Sequence, residues 1–438
     1  MTDVTPAVGG TRTVPVPDAI ARDYLLLALR LDQHVPGFVD GYFGPADLKA
    51  AVDLERVPPP ARLARDADAL RERLESEVED DGRRRWLDAQ LVAMRTQAAS
   101  LAGETRPYVE HVTRCFEWTP RRRDEHVFDD ALAGLDALLP GKGSVAERGA
   151  AWAEELRVPP ERLPAVVDWL VARYRSTAER LFGLPAGEKL TVELVRNEPW
   201  SGYNWYDGGL RSRVQLNLDL PIEVTRLVAT VAHETYPGHH LEHAIKEADA
   251  VLAQRRLESS VLLINTPECL ISEGLAELGV DFAAPPAERV ELQLELYERA
   301  GLAIAGDPAA ARDAAERSAA MWPLRSALGA ASLNAALMRH ADNASHEEVL
   351  GYLRARSFDP STAAKRLEFI EHPLWRTYVF VYDEGEALLR EWLELVPDPE
   401  RAARFARLLR EPLTPGAVAA EIAAARSVGA VAGPVTPR

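Results

Sequence analysis

Residues 233 to 240 read His-Glu-Thr-Tyr-Pro-Gly-His-His, which nearly reproduces the zinc-protease motif H-E-x-x-H. In that motif two histidines one helical turn apart bind zinc, and the glutamate beside the first histidine is general base on a metal-bound water. Here the fourth residue after His233 is Pro237, which has no ligand atom. A second histidine ligand must therefore come from His239 or His240, beyond the proline.

The helix that carries His233 must break at Pro237, because proline has no N–H to donate and its ring clashes with the carbonyl four residues earlier. Gly238 would then supply the positive φ that a sharp turn needs. In a straight helix His240 would lie about 10 Å further along the axis than His233. That distance is too long for two bonds of roughly 2.0–2.1 Å to one zinc ion. An H-E-x-x-H motif with two inserted residues assigns the second ligand to His239 and leaves His240 as the alternative.

A third ligand is predicted on the apolar segment that contains Glu273 and Glu277. These two glutamates are four residues apart and share a helix face, where their repulsion is unfavourable unless something offsets it. A divalent cation at Glu273 would do so, and Glu277 could then accept a hydrogen bond from a ligand histidine. The alternative interpretation is a solvated acidic edge on an amphipathic helix.

The segment Arg213–Asp219 alternates apolar and polar residues, which predicts a strand with two different faces. A strand, a short loop and then the His-Glu helix is the order found in zinc peptidases, where the strand edge pairs with an extended substrate. The predicted substrate-binding residues are therefore Arg213, Gln215 and Asn217.

Segment 372–382 brings a histidine, an arginine and two tyrosines close together in sequence. Hydrolysis needs a donor to the developing oxyanion, and Tyr378 and Tyr382, four residues apart, are the predicted donors. Arg376 is a candidate clamp for a substrate carboxylate. The alternative is that the aromatic residues belong to the core and that Arg376 is paired on the surface.

Two of these segments, 233–240 and 272–277, resemble the paired motifs of the bacterial domain of unknown function 885 family. Segment 39–45, Val-Asp-Gly-Tyr-Phe-Gly-Pro, resembles that family's opening motif, and the resemblance spans roughly residues 20 to 395. The family is similar in motif order to the gluzincin metallopeptidases, such as the carboxypeptidase Taq group. The resemblance implies a zinc-hydrolase fold without specifying a substrate. One departure is Leu275, where family members often carry tryptophan, and it affects packing rather than ligation.

Three functions compete. The favoured one is a zinc-dependent hydrolase, a metallopeptidase acting on short peptides, with Zn²⁺ on His233, His239 and Glu273 and with Glu234 as general base. The second is a non-haem iron or other metal-dependent enzyme built on the same two histidines and one carboxylate. The third is a helical binding protein with a degenerate metal site. Against the third, four of the ten histidines fall within residues 233 to 243.

Composition agrees with a soluble, cytoplasmic enzyme, and the favoured zinc site predicts a peptide or another small amide as its substrate. The 438 residues are 47% hydrophobic and 27% charged, which is ordinary for a globular protein. The net charge of −17 argues against nucleic acid and anionic membranes as partners. No apolar run approaches the roughly 20 residues of a membrane span, and no signal-peptide pattern is present. Cys115 and Cys269 are predicted to be buried free thiols, and oligomeric state is left open.

The predicted fold is mainly α with a small β-sheet, in which a zincin-like α+β catalytic region of gluzincin type lies within a large helical protein. Amphipathic helices are expected near residues 61–78, 83–102, 124–139, 144–156 and 160–183. The predicted organisation is a disordered tail (1–16), a helical region that walls the cleft (17–188), a catalytic region (189–427) and a loose tail (428–438).

Overall fold

The computed structural model describes residues 15–198, 202–219 and 221–431. The predicted N-terminal tail, residues 1–16, lies outside the described residues apart from its last two positions. Residues 428–431 of the predicted loose C-terminal tail belong instead to the last helix, and the remainder lies outside the described residues.

The prediction of a mainly helical protein with little sheet is confirmed in the described part of the chain. The first eight helices are α1 (Ala19–Asp32), α2 (Ala46–Leu54), α3 (Pro60–Glu77), α4 (Asp81–Leu101), α5 (Tyr108–Phe116), α6 (Glu125–Leu138), α7 (Val145–Glu155) and α8 (Leu163–Phe182). The five helical segments predicted from periodicity correspond to α3, α4, α6, α7 and α8.

The later helices alternate with short connections from residue 224 onward. They are α9 (Val224–Glu234), α10 (His239–Lys246), α11 (Pro267–Ala283), α12 (Arg289–Ala300), α13 (Pro308–Gly329), α14 (Ala331–His340), α15 (His346–Ala355), α16 (Ala363–Glu371), α17 (Val381–Leu393), α18 (Asp398–Arg410) and α19 (Pro415–Val431). The strands are β1 (Val39–Tyr42), β2 (Lys189–Val195), β3 (Gly202–Tyr206), β4 (Arg211–Asn217) and β5 (Val261–Leu263).

The larger sheet has three strands in the order β2–β4–β3, with β2 parallel and β3 antiparallel to β4. The predicted strand 213–219 corresponds to β4, which spans residues 211–217 and is the central strand of this sheet. Because β4 is bonded on both sides, it has no edge to offer a substrate, and that part of the prediction is wrong. The strand with an outer edge next to α9 is β3, which comes from the turn-rich aromatic segment before β4.

The smaller sheet joins β1, which follows the first helix, to β5, which precedes α11. β1 pairs antiparallel with β5, and a bulge lies between Val39 and Gly41. Asp40 is the residue inside that bulge. Bulges commonly re-aim a side chain next to a functional site.

Two buried clusters form the core. One unites α1 to α4 with Val251, Leu257 and β5. The other combines α5 to α8 with β4, α9 to α19 and their connections. The helices α5 to α8 thus share their core with the region predicted to be catalytic. Cys115 and Cys269 are buried and free, as predicted.

Helices α11 and α17 cross at two glycines, and this crossing positions the aromatic segment over α11. A Cβ atom on Gly274 would lie 2.4 Å from the carbonyl carbon of Gly385, so only glycine permits the approach. The result is that the turn before α17 lies directly above the side chains of α11.

Candidate metal centre

The predicted helix break is confirmed: α9 ends at Glu234 and α10 begins at His239. The role predicted for Gly238 is wrong, because its φ is −76° and not positive. Glycine is required there by a close approach instead. A Cβ atom on Gly238 would lie 1.8 Å from the carbonyl oxygen of His233, so the turn folds directly back onto the end of α9.

This turn brings three predicted ligands together. The Nε2 atom of His233 is 3.3 Å from Oε2 of Glu273, and Nε2 of His239 is 3.6 Å from Oε1 of the same carboxylate. One ligand atom from each of the three residues lies within 4.8 Å of the other two. Ligands on a tetrahedral zinc ion with bonds of about 2.1 Å are separated by about 3.4 Å. The three side chains therefore fit one zinc ion with little movement.

Hydrogen bonding and charge at the cluster also suit a divalent cation. Oε2 of Glu273 is buried and has no hydrogen-bond partner. Burial opposes protonation of His239, but the Glu273 and Glu242 carboxylates outweigh it and raise the His239 pKa to about 10. Burial likewise opposes protonation of His233, yet Glu273 and Glu277 raise its pKa well above the ordinary value. The carboxylates thus create a field that attracts positive charge to the imidazole nitrogens.

Each histidine has a carboxylate on its other side. Oε1 of Glu277 lies 3.4 Å from Nδ1 of His233, where the sequence predicted an outer-shell partner. For His239 the corresponding partners are Ser272, whose Oγ lies 3.4 Å from Nδ1, and Glu242, whose Oε2 lies 3.7 Å away. Such partners fix the orientation of a ligand imidazole.

His240, the alternative ligand, points away from the cluster. Its Nδ1 lies 2.8 Å from Oγ of Ser212 and its Nε2 lies 2.8 Å from Oε2 of Glu188. The side chain is completely buried, and both ring nitrogens are engaged. His240 therefore anchors the turn to the sheet and is not available as a ligand.

A second group of possible ligands, His239, Glu242 and His243, adjoins the first. Both oxygens of Glu242 already accept hydrogen bonds, one from Lys246 at 2.7 Å and one from Ser272 at 2.6 Å. The Lys246 ammonium would repel a cation placed there. The first group is therefore the better site.

Glu234 lies at the cluster but is not a member of it. Its side chain is buried, and burial raises its pKa above the ordinary value although the two histidines oppose the shift. Strand β3 passes directly over it: a Cβ atom on Gly202 would lie 3.4 Å from Oε1 of Glu234, and Asn204 Nδ2 donates to the Glu234 carbonyl at 2.7 Å. A buried carboxylate with a raised pKa beside an outer strand is suited to proton transfer.

The two predicted oxyanion donors differ in their contacts. The hydroxyl of Tyr378 donates to Oε1 of Glu273 at 2.6 Å and so fixes a candidate ligand. The Tyr382 ring packs edge-on against Tyr378 at 5.8 Å. Burial and the charges of Glu273, Glu277 and Glu234 raise the pKa of the Tyr382 hydroxyl well above its ordinary value.

The remaining predicted binding residues are not brought to the cluster. Arg213 pairs with Asp207 at 2.8 Å, Gln215 accepts from Trp205 and donates to Glu193, and Asn217 donates to the Glu198 carbonyl. These contacts lie within the sheet and its connections, because β4 is central.

Arg376 lies against α5 instead of the cluster. Its carbonyl accepts a hydrogen bond from the Tyr108 hydroxyl. Its charge adds to the burial that lowers the pKa of His111 to about 4. None of these contacts reaches the candidate ligands.

Two residues that the sequence did not single out as functional belong to the site. Asp40, in the β1 bulge, accepts a hydrogen bond from the hydroxyl of Tyr203 on β3. The charges of His239 and Glu273 both act on the Asp40 carboxyl. In the sequence, segment 39–45 stands out only for its resemblance to a family motif, and that motif is the available signal.

Comparison with known proteins shows the fold alone. No protein-family model matches the chain, and no curated protein matches it. The chain is similar to a solved structure from Colwellia psychrerythraea described as a "putative lipoprotein", with a TM-score of 0.51 and 14% identity. The alignment covers 84% of this chain and 67% of the other. The resemblance to the domain of unknown function 885 family and the zincin-like fold therefore stay predictions.

In the described part of the chain, no helix is long and apolar enough to cross a membrane.

Proposed function

We propose that the protein is a zinc-dependent hydrolase, a metallopeptidase that acts on short peptides. The observation that carries the proposal is the convergence of His233, His239 and Glu273 with Glu234 beside them. Cytoplasmic location and a zincin-like catalytic region are part of the same proposal.

The cluster would hold zinc through one nitrogen of each histidine and the Glu273 carboxylate, with Glu277, Glu242 and Ser272 orienting the imidazoles. When bound, zinc lowers the pKa of water and polarises a carbonyl oxygen.

The chain's own groups would carry the proton transfers and orient the substrate. Glu234 accepts a proton from the attacking water, and its raised pKa lets it hold that proton until the amine departs. Tyr382 donates to the oxyanion, since the Tyr378 hydroxyl is already committed to Glu273. An extended substrate pairs with the outer edge of β3, whose residue Gly202 lies over Glu234.

The decisive test of hydrolysis is Glu234→Gln. This change keeps the shape of the side chain but removes the base, so the variant should retain zinc and lose peptide hydrolysis. Zinc content is measured by elemental analysis and hydrolysis by product release from short peptides. Glu298→Gln, the same change at an exposed residue of α12, is the control and should behave as wild type. Loss of zinc from Glu234→Gln would make Glu234 a ligand and refute the assignment.

The ligand assignment is tested with His239→Ala and His240→Ala. The first variant should lose stoichiometric zinc, because it removes a ligand nitrogen 3.6 Å from Glu273. The second should retain zinc and unfold more easily, because it removes the bonds to Ser212 and Glu188. Metal analysis combined with thermal unfolding separates the two effects. Equal zinc loss in both variants, or iron in place of zinc in the purified protein, would contradict the proposal.

A further inference from the structure

Asp40 is a carboxylate that the proposed hydrolysis does not use, yet the fold delivers it to the reaction site. It lies in the bulge of β1, where the Val39–Leu263 and Gly41–Leu262 pairs leave it without a cross-strand partner. A bulge on a strand otherwise paired with β5 re-aims a single side chain. Here the side chain reaches across to β3, where it meets Tyr203.

The groups that act on Asp40 are the Tyr203 hydroxyl, the Glu273 carboxylate and the His239 imidazole, the last of which is a proposed zinc ligand. Burial is the largest influence on its pKa, and it raises the pKa with the help of the Glu273 charge, against the hydrogen bond from Tyr203 and the charge of His239. Among the described residues, no lysine or arginine forms an ion pair with Asp40. A half-buried carboxylate of this kind is costly unless a cation from outside the chain offsets it.

We propose that Asp40, oriented by the Tyr203 hydroxyl, binds the α-ammonium group of a short peptide and so directs cleavage to a bond near the substrate's N-terminus. This inference rests on the proposed function, because it assigns the substrate class of the same site. The protein would then be an aminopeptidase or dipeptidase.

An α-ammonium group suits this position for two reasons. The α-amino group of a peptide has a pKa of about 7.7–8.0, so it is largely protonated at neutral pH and can donate to a carboxylate. In addition, the Asp40–Tyr203 hydrogen bond links β1 to β3, and Tyr203 follows Gly202, which lies beside Glu234. An extended substrate paired with the outer edge of β3 would therefore lie close to the Asp40 carboxylate.

The experiment compares a short peptide carrying a free α-amino group with the same peptide acetylated at its N-terminus. Wild-type protein should cleave the free peptide about 10- to 100-fold more efficiently, the range expected for one charge-assisted hydrogen bond. Asp40→Asn should abolish this preference mainly by raising KM for the free peptide. Asp47→Asn, an exposed aspartate at the start of α2, is the matched control and should keep the preference. Tyr203→Phe should reduce the preference in part.

A binding measurement separates this inference from the proposed function. The zinc-loaded Glu234→Gln variant is titrated with both peptides, with and without Asp40→Asn. If no peptide is cleaved but the free peptide still binds more tightly in an Asp40-dependent way, binding of the α-ammonium group by Asp40 is supported and hydrolysis is not. Equal cleavage of both peptides by wild type would overturn the role of Asp40 in binding the α-ammonium group but would still support the proposed hydrolysis. Loss of zinc from the Asp40→Asn variant would make Asp40 a zinc ligand and would also overturn its role in binding the α-ammonium group.

Discussion

Tyr378 and Tyr382 stand four residues apart in the sequence, but their hydroxyl groups have different environments. Tyr378 is committed to Glu273 by a 2.6 Å hydrogen bond, whereas Tyr382 faces the combined charge of three glutamates at the site. Their spacing in the sequence predicts that Tyr378 and Tyr382 share a helix face and that both are oxyanion donors. Only the fold distinguishes a residue that positions a ligand from one that can touch the substrate.

This difference predicts separable defects. Tyr382→Phe should lower kcat by about 100- to 1000-fold, as loss of one oxyanion donor does, while zinc affinity is unchanged. Tyr378→Phe should lower zinc affinity by about 10- to 100-fold, as loss of a partner to a ligand does. Chelator competition and steady-state kinetics measure the two quantities. If Tyr378→Phe instead lowers kcat with zinc affinity intact, the two roles have been exchanged.

At the scale of elements, the turn between α9 and α10 depends on contacts that the motif does not reveal. The break itself could be predicted because Pro237 cannot continue a helix. The reason why glycine is needed at position 238 could not be predicted. Gly238 is required because the chain passes close to the His233 carbonyl, and its φ is not positive. The motif also does not reveal which histidine faces the cluster. His240 is turned away from it by hydrogen bonds to Ser212 and Glu188, which lie outside the motif.

Glu188 gives this turn a pH-dependent anchor. Burial opposes its ionisation, but hydrogen bonds from His240, Tyr236 and Arg175 outweigh burial and lower its pKa from 4.5 to about 2. The carboxylate therefore contributes stability above pH 4.5, and this contribution is lost as pH falls from 4.5 toward 2.

Glu188→Gln should thus lower the free energy of unfolding at neutral pH by about 1–3 kcal/mol, the range for hydrogen bonds to a charged group. The difference from wild type should shrink as pH falls below about 4.5, because the wild-type carboxylate becomes protonated. Urea unfolding across this range measures it, with Glu298→Gln as a control that keeps the wild-type slope. A difference that is constant with pH would show that the carboxylate charge at Glu188 is not what stabilises the turn.

The sequence pattern predicts that a segment is a strand better than it predicts where the strand lies in the sheet. Alternation correctly indicated β4, but a strand with polar residues on one face can be central or at an edge, and only pairing decides. The parallel contact with β2 and the antiparallel contact with β3 make β4 central. The proposed edge is β3, whose sequence is turn-rich and aromatic and does not alternate clearly.

At the scale of the whole molecule, the predicted helical content follows from local periodicity, whereas the joining of distant segments does not. Seven helices, α2 to α8, lie between β1 and β3 in the sequence, yet Asp40 meets Tyr203 and is acted on by the charges of His239 on α10 and Glu273 on α11. Nothing in a single sequence specifies that meeting, because it depends on how β1 pairs with β5 and on a bulge of one residue.

If the protein is the proposed hydrolase, the burial of the cluster limits its substrates. The side chains of His233, His239 and Glu273 are only 17%, 13% and 9% exposed. In the proposed function, the scissile bond reaches them as part of an extended chain that lies along β3. A folded substrate cannot enter, since its backbone hydrogen bonds are already made within its own structure.

We therefore expect cleavage of short peptides, rates that fall as the substrate grows beyond about a dozen residues, and no cleavage of a folded protein. A series of peptides that share one N-terminal sequence and differ in length tests this, because the residues near the cleaved bond stay constant. An unfolded protein with that N-terminus is the control: trimming of its first residues alone fits recognition of the substrate's N-terminus by Asp40. Internal cuts in that chain would contradict recognition of the N-terminus, and efficient digestion of an intact folded protein would contradict the requirement for an extended substrate along β3.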